Sequence, residues 1–358
     1  MAKNYDLTAL ALKMVLPNNE LIYDNDGTNE GLPSVMVRIP KFRMSDVITG
    51  GSSDTHPAFI INGQEVDEIY ISKYLNIVEN GKAYSLPGQD PRANVTFDQA
   101  VQYCTAKGDG WHLMTNAEWA ALELWCLKNG CEPRGNTSYG KDPKDTGYKA
   151  IPSMARDGSN RIQRTATGTG GPGWSHDGTL AGVMDLKGDV WEWQGGIRTV
   201  NGEVQIFAQN SAADLDNPQN ATSVYWKAID ATTGSLVDPG SANTVKMDTV
   251  SSKLQYVVTI ANQEDASKSC KFSEITCGAS IAAAAQAVLQ AYGLLPVAGN
   301  TYDSDEACYW NNGAAERLVS RGGAWAYASY GLCSFHGGYP RSNSYAGIGF
   351  RSAYYKKI

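Results

Sequence analysis

Residue types that usually signal metal chemistry or disulfide frameworks are scarce in this 358-residue chain. Only four histidines occur, at positions 56, 112, 176 and 336, and none has the spacing of a metal-ligand motif, which argues against a zinc site. The cysteines are odd in number and lie without a tight framework spacing, at positions 104, 126, 131, 270, 277, 308 and 333. Although Cys270 and Cys277 could pair, we expect mostly reduced, buried thiols.

Long apolar runs and basic clusters are also missing. No stretch approaches the length that a membrane span needs, so we expect no direct membrane insertion. The first residues, MAKNYDLTALALKMVLP, have an apolar run broken by Lys13 and no small-residue cleavage site, which is not typical of a signal peptide. We therefore predict cytosolic synthesis and leave virion association or surface display open. A formal net charge of −7 without a basic patch argues against nucleic-acid binding.

Residues 321–355 contain no lysine, aspartate or glutamate. They contain seven glycines, six tyrosines, five serines and three arginines. Binding surfaces use this mixture, because tyrosine gives rigid contact area at low entropic cost while serine and glycine give adaptable hydrogen bonds and tight turns. Aromatic-rich turns of β-proteins have a similar composition, so composition alone leaves a contact surface and a structural segment equally open.

The order of residues within this segment separates a frame from the loops that it holds. The opening RGGAW at 321–325 and the closing IGFRS at 348–352 alternate apolar and polar residues, as strands packed on a core do. Between them the chain turns repeatedly, and PRSNS at 340–344 is the clearest loop. This pattern favours a contact surface held between two strands.

These motifs resemble those of a known family. RGG-x-W followed by IGFR, with GDVWEW upstream, resembles the formylglycine-generating-enzyme type of C-type lectin fold. The fuller pattern RGGxW…PRSNSxxxIGFRSA is similar to the variable proteins of diversity-generating retroelements, which occur in phages, prophages and some bacteria. The motifs follow the family's order across residues 33–357. The resemblance implies an α+β C-type lectin fold with antiparallel strands, two helices and long loop insertions.

In that family a reverse transcriptase copies a template with errors at adenines, so that Asn codons near the end of the gene vary. The family pattern places the varied, ligand-binding positions at Ala324, Ala326, Tyr327, Tyr330, His336, Gly338, Tyr339, Tyr345, Ala346 and Gly347. Randomising the first two bases of AAC or AAT cannot produce Met, Trp, Lys, Gln or Glu, and none of these stands at the ten positions.

Four of these positions are tyrosines that we expect to anchor the ligand, with His336 as a polar contact. The anchors are Tyr327, Tyr330, Tyr339 and Tyr345. Their side chains are expected to face solvent, where substitutions cost little stability.

The remaining sequence predicts strands first and then two helices. From residue 34, VMVRIPKFRM and AFIINGQEVDEIYISKY alternate as antiparallel strands do, with a hairpin turn at residues 62–63. Two capping boxes, Thr96 with Gln99 and Thr115 with Glu118, predict helices that end near glycines 108 and 130. Trp119, Leu122 and Cys126 form one stripe of the second helix, which we interpret as core.

We predict an N-terminal extension at residues 1–32 and a C-type lectin-like domain at 33–358. The domain contains an insertion at about 199–310 and a variable region at about 321–352. The extension forms either a small helix around residues 7–16 or a partly ordered arm. The insertion holds a strand-like stretch at 254–260 and an alanine-rich helix at 280–293. It either supports the variable surface, contacts a partner subunit or is lineage-specific decoration.

The resemblance also raises the question of a metal ion. In the formylglycine-generating enzymes the glutamate of the GNVWEW motif helps to hold calcium, and Glu192 stands at that place here, with Asp189 replacing the asparagine. A calcium ion needs about 6 to 8 oxygen ligands, and the sequence nominates few. We expect structural roles for this motif and no cofactor, and we leave calcium near Glu192 open.

Three functions follow from these observations. The first is a non-enzymatic binder of a protein or surface ligand, whose oligomeric state is open because relatives occur as single chains and as trimers. The second is an oxidase of the formylglycine-generating type. That enzyme uses two cysteines after RGGxW, and Tyr327 and Leu332 hold their places here, with Cys333 displaced by one residue. The third is a static structural protein of a particle.

Overall fold

The computed structural model describes residues 14–27, 32–147, 150–302 and 306–357. The helix predicted around residues 7–16 lies largely outside these described residues. Four α-helices lie wholly within them: α1 Met44–Val47, α2 Phe97–Thr105, α3 Asn116–Asn129 and α4 Ala283–Ala291.

Twenty-one β-strands lie within the same ranges. They are β1 Asn19–Ile22, β2 Ser34–Pro40, β3 Ile60–Ile61, β4 Gln64–Glu65, β5 Glu68–Ser72, β6 Asn76–Glu79, β7 Lys82–Ser85, β8 Trp111–Leu113, β9 Trp191–Val200, β10 Glu203–Ile206, β11 Lys227–Ile229, β12 Leu236–Val237, β13 Lys246–Val250, β14 Lys253–Val257, β15 Lys268–Lys271, β16 Thr276–Cys277, β17 Ala307–Trp310, β18 Arg317–Arg321, β19 Phe335–Tyr339, β20 Ile348–Phe350 and β21 Ser352–Tyr354.

The strands form two main sheets and two small hairpins. A five-stranded sheet has the order β1-β2-β5-β21-β8, so the C-terminal strand β21 lies between two strands from the first third of the chain. A twelve-stranded sheet has the order β15-β17-β19-β18-β9-β10-β13-β14-β16, with β11, β12 and β20 attached at its side. Most pairings are antiparallel, and the α+β architecture predicted for a C-type lectin fold is confirmed.

Both predicted capping boxes are present, and local side-chain chemistry explains where the two helices begin. At α2, Thr96 Oγ1 accepts from the Gln99 amide and Gln99 Oε1 accepts from the Thr96 amide. At α3, Thr115 and Glu118 make the same two bonds, and the helix ends at Gly130 with a φ of 63°. Helix α3 is buried on nearly all sides, and the prediction that Trp119, Leu122 and Cys126 belong to the core is confirmed.

The stretch at residues 199–310 contributes much of the large sheet. It supplies strands β10 to β17 and helix α4. The predicted strand at 254–260 is β14, and the predicted helix at 280–293 is the shorter α4. Strand β17 pairs in parallel with β19, where Tyr309 lies opposite His336. The stretch therefore reaches the C-terminal segment through a direct strand contact.

Candidate functional site

Six ring side chains gather where the C-terminal segment crosses the large sheet. We call this cluster the aromatic platform, and it comprises Tyr309, Tyr327, Tyr330, His336, Tyr339 and Tyr345. Strand β19 supplies two of these rings because it lies between β17 and β18 in the sheet. The other C-terminal rings belong to the loops on either side of β19.

The rings contact one another closely. The His336 ring stacks on Tyr339 with centroids 3.6 Å apart and on Tyr309 with centroids 4.7 Å apart. The hydroxyls of Tyr339 and Tyr345 are 3.1 Å apart and share a hydrogen bond. Tyr330 packs against Trp191 of β9 with ring centroids 4.7 Å apart. Such aromatic pairs each contribute about 0.5 to 1.5 kcal/mol beyond the area that they bury.

Exposure differs strongly among the predicted anchors. Tyr327 is 58% exposed, whereas Tyr330 is 6% and His336 is 8% exposed. Tyr339 and Tyr345 are half-buried. The expectation of solvent-facing side chains therefore holds for Tyr327 and is wrong for Tyr330 and His336, because both pack against Trp191. Burial lowers the pKa of His336 to about 3, so its imidazole is neutral at physiological pH.

The small residues among the ten predicted positions lie around the platform. Ala326, Gly338 and Ala346 are half-buried, whereas Ala324 and Gly347 are buried. Ala324 shares a core cluster with Trp191, Trp193 and the buried part of the platform. The structure therefore brings the small positions and the rings into one region.

Four of the seven glycines in the segment fall into two physical classes. A Cβ atom added at Gly347 would meet Cε2 of Tyr345 at 2.7 Å, and one at Gly338 would meet Cε1 of His336 at 3.0 Å. Both obstacles are side chains at other predicted variable positions, the half-buried Tyr345 ring and the buried His336 ring. A Cβ at Gly349, in contrast, would lie 2.6 Å from the carbonyl oxygen of Arg92, which is fixed backbone.

The frame glycine Gly322 is restricted in the same way as Gly349. Its φ is +85°, which side-chain-bearing residues rarely adopt, and an added Cβ would lie 2.4 Å from the carbonyl oxygen of Leu186. A side chain added at either predicted variable glycine would thus displace another side chain, whereas one added at either of these two frame glycines would meet fixed backbone.

Sequence reasoning missed Tyr309, which belongs to the platform although it precedes the RGGxW motif. Its ring stacks on His336, and its hydroxyl lies 3.5 Å from that of Tyr330. The available signal was the alternating ACYW of strand β17, but nothing local indicates that this strand pairs with β19.

Two buried arginines fix the ends of the C-terminal segment. Arg321 pairs with Glu123 at 3.2 Å and also donates to Asn116 and to the carbonyl oxygens of Tyr292 and Gly293. At the other end, Arg351 donates from Nε and Nη2 to the two carboxylate oxygens of Glu192, each at 2.9 Å. Removing one partner of such a buried pair typically costs about 3 to 5 kcal/mol.

The Arg351 pair also bears on the calcium question. Both oxygens of Glu192 already accept from Arg351, and Asp189 Oδ1 accepts from Asn136 and from the amide and hydroxyl of Thr165. Across the part of the chain that the structure describes, no group of three or more His, Cys, Asp or Glu side chains could hold a metal ion. The residues around Glu192 therefore do not fit a calcium ion.

The cysteine thiols bear on the oxidase alternative. The seven cysteines are free of disulfides, and Cys333 is fully buried. Burial raises the pKa of the Cys333 thiol well above its usual range, which disfavours the reactive thiolate. Tyr327 and Leu332 occupy the two places where the formylglycine-generating enzymes carry cysteines.

No helix in the described ranges has the length and apolar character that crossing a bilayer requires.

Comparisons with known proteins add a family and several similar structures. The family described as "Sulfatase-modifying factor enzyme 1-like domain" matches residues 12–210, more than half of the chain. No curated protein sequence matches significantly.

Among solved structures, PvdO from Pseudomonas aeruginosa is 13% identical over 93% of this chain and 97% of that chain, with a TM-score of 0.33. The P3c and I1 variants of the Major Tropism Determinant are each 13% identical over 89% of this chain, with TM-scores of 0.32 and 0.31. The chain spans 62% of the length of each of these variants.

Proposed function

This chain belongs to the sulfatase-modifying factor enzyme 1-like domain family, and we propose that it is a ligand-binding protein whose C-terminal surface is varied by a retroelement. The ligand is a protein or another surface molecule, and the chain binds it while displayed on a phage particle or a bacterial cell. The contrast between the glycines is the observation on which this proposal rests. An added Cβ at Gly338 or Gly347 would meet other side chains, whereas one at Gly322 or Gly349 would meet backbone carbonyl oxygens.

The platform offers contact area without net charge. Tyr327 is exposed, and the half-buried Tyr339 and Tyr345 present ring edges and hydroxyls beside it. Arg341 is the charged side chain in the loop between β19 and β20, and it is already paired with Asp98 and Glu316. Recognition therefore depends on shape, apolar contact and hydroxyl hydrogen bonds, and a well-packed tyrosine anchor can contribute about 2 kcal/mol or more to binding.

The buried and the exposed rings of the platform have different roles in this proposal. Tyr330 and His336 are held against Trp191 and form a floor, on which the more exposed rings rest. A rigid floor lowers the entropic cost of binding, since the ring conformations are set before the ligand arrives. Several copies displayed on one particle would add avidity to a weak single site.

The main alternative is an oxidase, because the matched family is related to enzymes. That reaction would need a reactive thiol at the surface near the segment. The two family cysteine places hold Tyr327 and Leu332, and Cys333 is buried. These observations favour a binding protein that is not an enzyme.

Sequencing the last part of this gene and its flanks from many cells of one population tests the proposal. We expect substitutions to concentrate at the ten positions and to trace to adenines of a nearby template copy. Substitutions at codons 322 and 349 should be absent, which provides the internal control. A uniform segment with no template would refute diversification and would favour a static structural protein.

A further inference from the structure

A lysine and an asparagine meet inside the protein at the edge of the smaller sheet. Lys73 directly follows β5 and is 1% exposed, while Asn19 opens the edge strand β1 and is 0% exposed. The Lys73 Nζ atom lies 2.5 Å from the Asn19 Oδ1 atom and also donates to the carbonyl oxygen of Leu180. The Asn19 Nδ2 atom donates to the carbonyl oxygen of Ala181 at 2.6 Å. These bonds hold the amine against the amide.

The Lys73 amine is buried without an ion pair, which is uncommon for a lysine. Lysine is almost never fully buried unless it is paired, and no ion pair found among the described residues includes Lys73. Burial lowers the pKa of Lys73 to about 8, although the negative charge of Asp177 acts in the opposite direction. A larger fraction of this lysine is therefore a neutral, nucleophilic amine near pH 7 than for a lysine in water.

We propose that Lys73 and Asn19 form an intramolecular isopeptide bond. The lone pair of Nζ attacks the side-chain carbonyl carbon of Asn19, and the bond from that carbon to Nδ2 breaks. One hydrogen moves from Nζ to Nδ2, which leaves as ammonia. The product is a secondary amide, and the reaction needs no oxidant, reductant or external group.

Asp177 is the carboxylate whose negative charge acts on the Lys73 amine. Its Oδ1 atom is held by Ser175 and Thr179, and it packs against Gly182, where an added Cβ would lie only 2.2 Å from it. Residues 180 and 181, whose carbonyls accept from Lys73 and Asn19, lie in the same loop. A cavity of about 420 Å³ next to this region is lined by Asp177 and by Asn18, the chain neighbour of Asn19.

The bond would tie the edge strand to the interior of the smaller sheet. Strand β1 pairs only with β2 in the described sheet, whereas Lys73 follows the next strand inward, β5. The link would span 54 residues of sequence and would restrict the unfolded chain accordingly. Edge strands open easily and invite pairing with other chains, and a covalent tie prevents both.

The mass of the purified full-length protein tests the proposal. We expect the intact mass to be lower than the sequence mass by one molecule of ammonia. Trypsin cannot cleave at an acylated lysine, so digestion should yield residues 14–38 joined to residues 44–82. An intact mass equal to the sequence mass, with separate peptides ending at Lys73, would overturn the proposal.

Two variants make the test specific. Lys73→Arg should have the full sequence mass. Lys107→Arg is the matched control, because Lys107 is also fully buried but donates to the Ser34 hydroxyl rather than to an amide, and it should keep the link.

Discussion

Replacing Tyr330 by alanine should destabilise the protein far more than replacing Tyr327, although both belong to the aromatic platform. Tyr330 is 6% exposed and packs on Trp191, whereas Tyr327 is 58% exposed. Removing a buried aromatic ring typically costs about 3 to 5 kcal/mol of unfolding free energy. A substitution at an exposed position usually changes the unfolding free energy by no more than about 0.5 kcal/mol. We therefore expect a difference of at least about 2 kcal/mol between the two variants.

Urea unfolding of the purified variants measures this difference directly. Tyr330→Phe is the matched control, because it keeps the ring and removes a hydroxyl whose neighbour, the Tyr309 hydroxyl, is 3.5 Å away. Tyr330→Phe should lower the unfolding free energy by less than about 1.5 kcal/mol, the upper end of what one hydrogen bond usually contributes. Unchanged denaturant slopes would show that the variants unfold to comparable states. A loss below about 1 kcal/mol for Tyr330→Ala would refute the assignment of this ring to the floor of the platform.

The same energetics limit which residues nature can place at position 330. If the position varies in a population, polar and small residues there should be rarer than at position 327. Equal residue distributions at the two positions would contradict this expectation.

Three further results are expected. Gly347→Ala should leave the unfolding free energy within about 1 kcal/mol of wild type, whereas Gly349→Ala should cost about 1 to 3 kcal/mol or more in the same urea titration, because its Cβ meets fixed backbone. Phe350→Ala should cost about 3 to 5 kcal/mol, since the ring is fully buried, and a loss under about 1 kcal/mol would contradict its place in the core. Burial raises the pKa of Glu306 to about 8, so its contribution to stability is fully present below its unfolded pKa and is lost as pH rises through about 8. Glu306→Gln should therefore flatten the fall in melting temperature between about pH 5 and pH 9, and parallel pH curves for the two proteins would contradict the assignment.

Features with a local cause could be predicted from the sequence. The two capping boxes and Gly130 fix helices α2 and α3 through side chains within a few residues of each helix end. The closing IGFRS segment forms β20 and the first residue of β21 and is buried, as its pattern predicts. The prediction of a strand over the opening RGGAW segment was wrong, because only Arg321 lies in a strand, at the end of β18. In each confirmed case the interaction that decides the structure lies within one stretch of sequence.

Features that depend on distant pairing could not be predicted. Tyr309 joins the platform because β17 aligns in parallel with β19, and no pattern within either strand specifies that partner. The burial of Tyr330 follows from Trp191, which lies more than a hundred residues earlier in the chain. The family pattern could indicate which residues share the site, but not which of them form its floor.

The two buried arginines have a consequence for how this segment can change over generations. Arg321 and Arg351 hold its ends at fixed points, and β19 fixes its middle between two strands. The connecting loops must therefore span constant distances, so an added or deleted residue would pull an anchored charge out of its pocket or shift the strand register. Replacing one side chain by another leaves both the anchored arginines and the strand register in place. This architecture tolerates copying errors that exchange bases and penalises those that alter length.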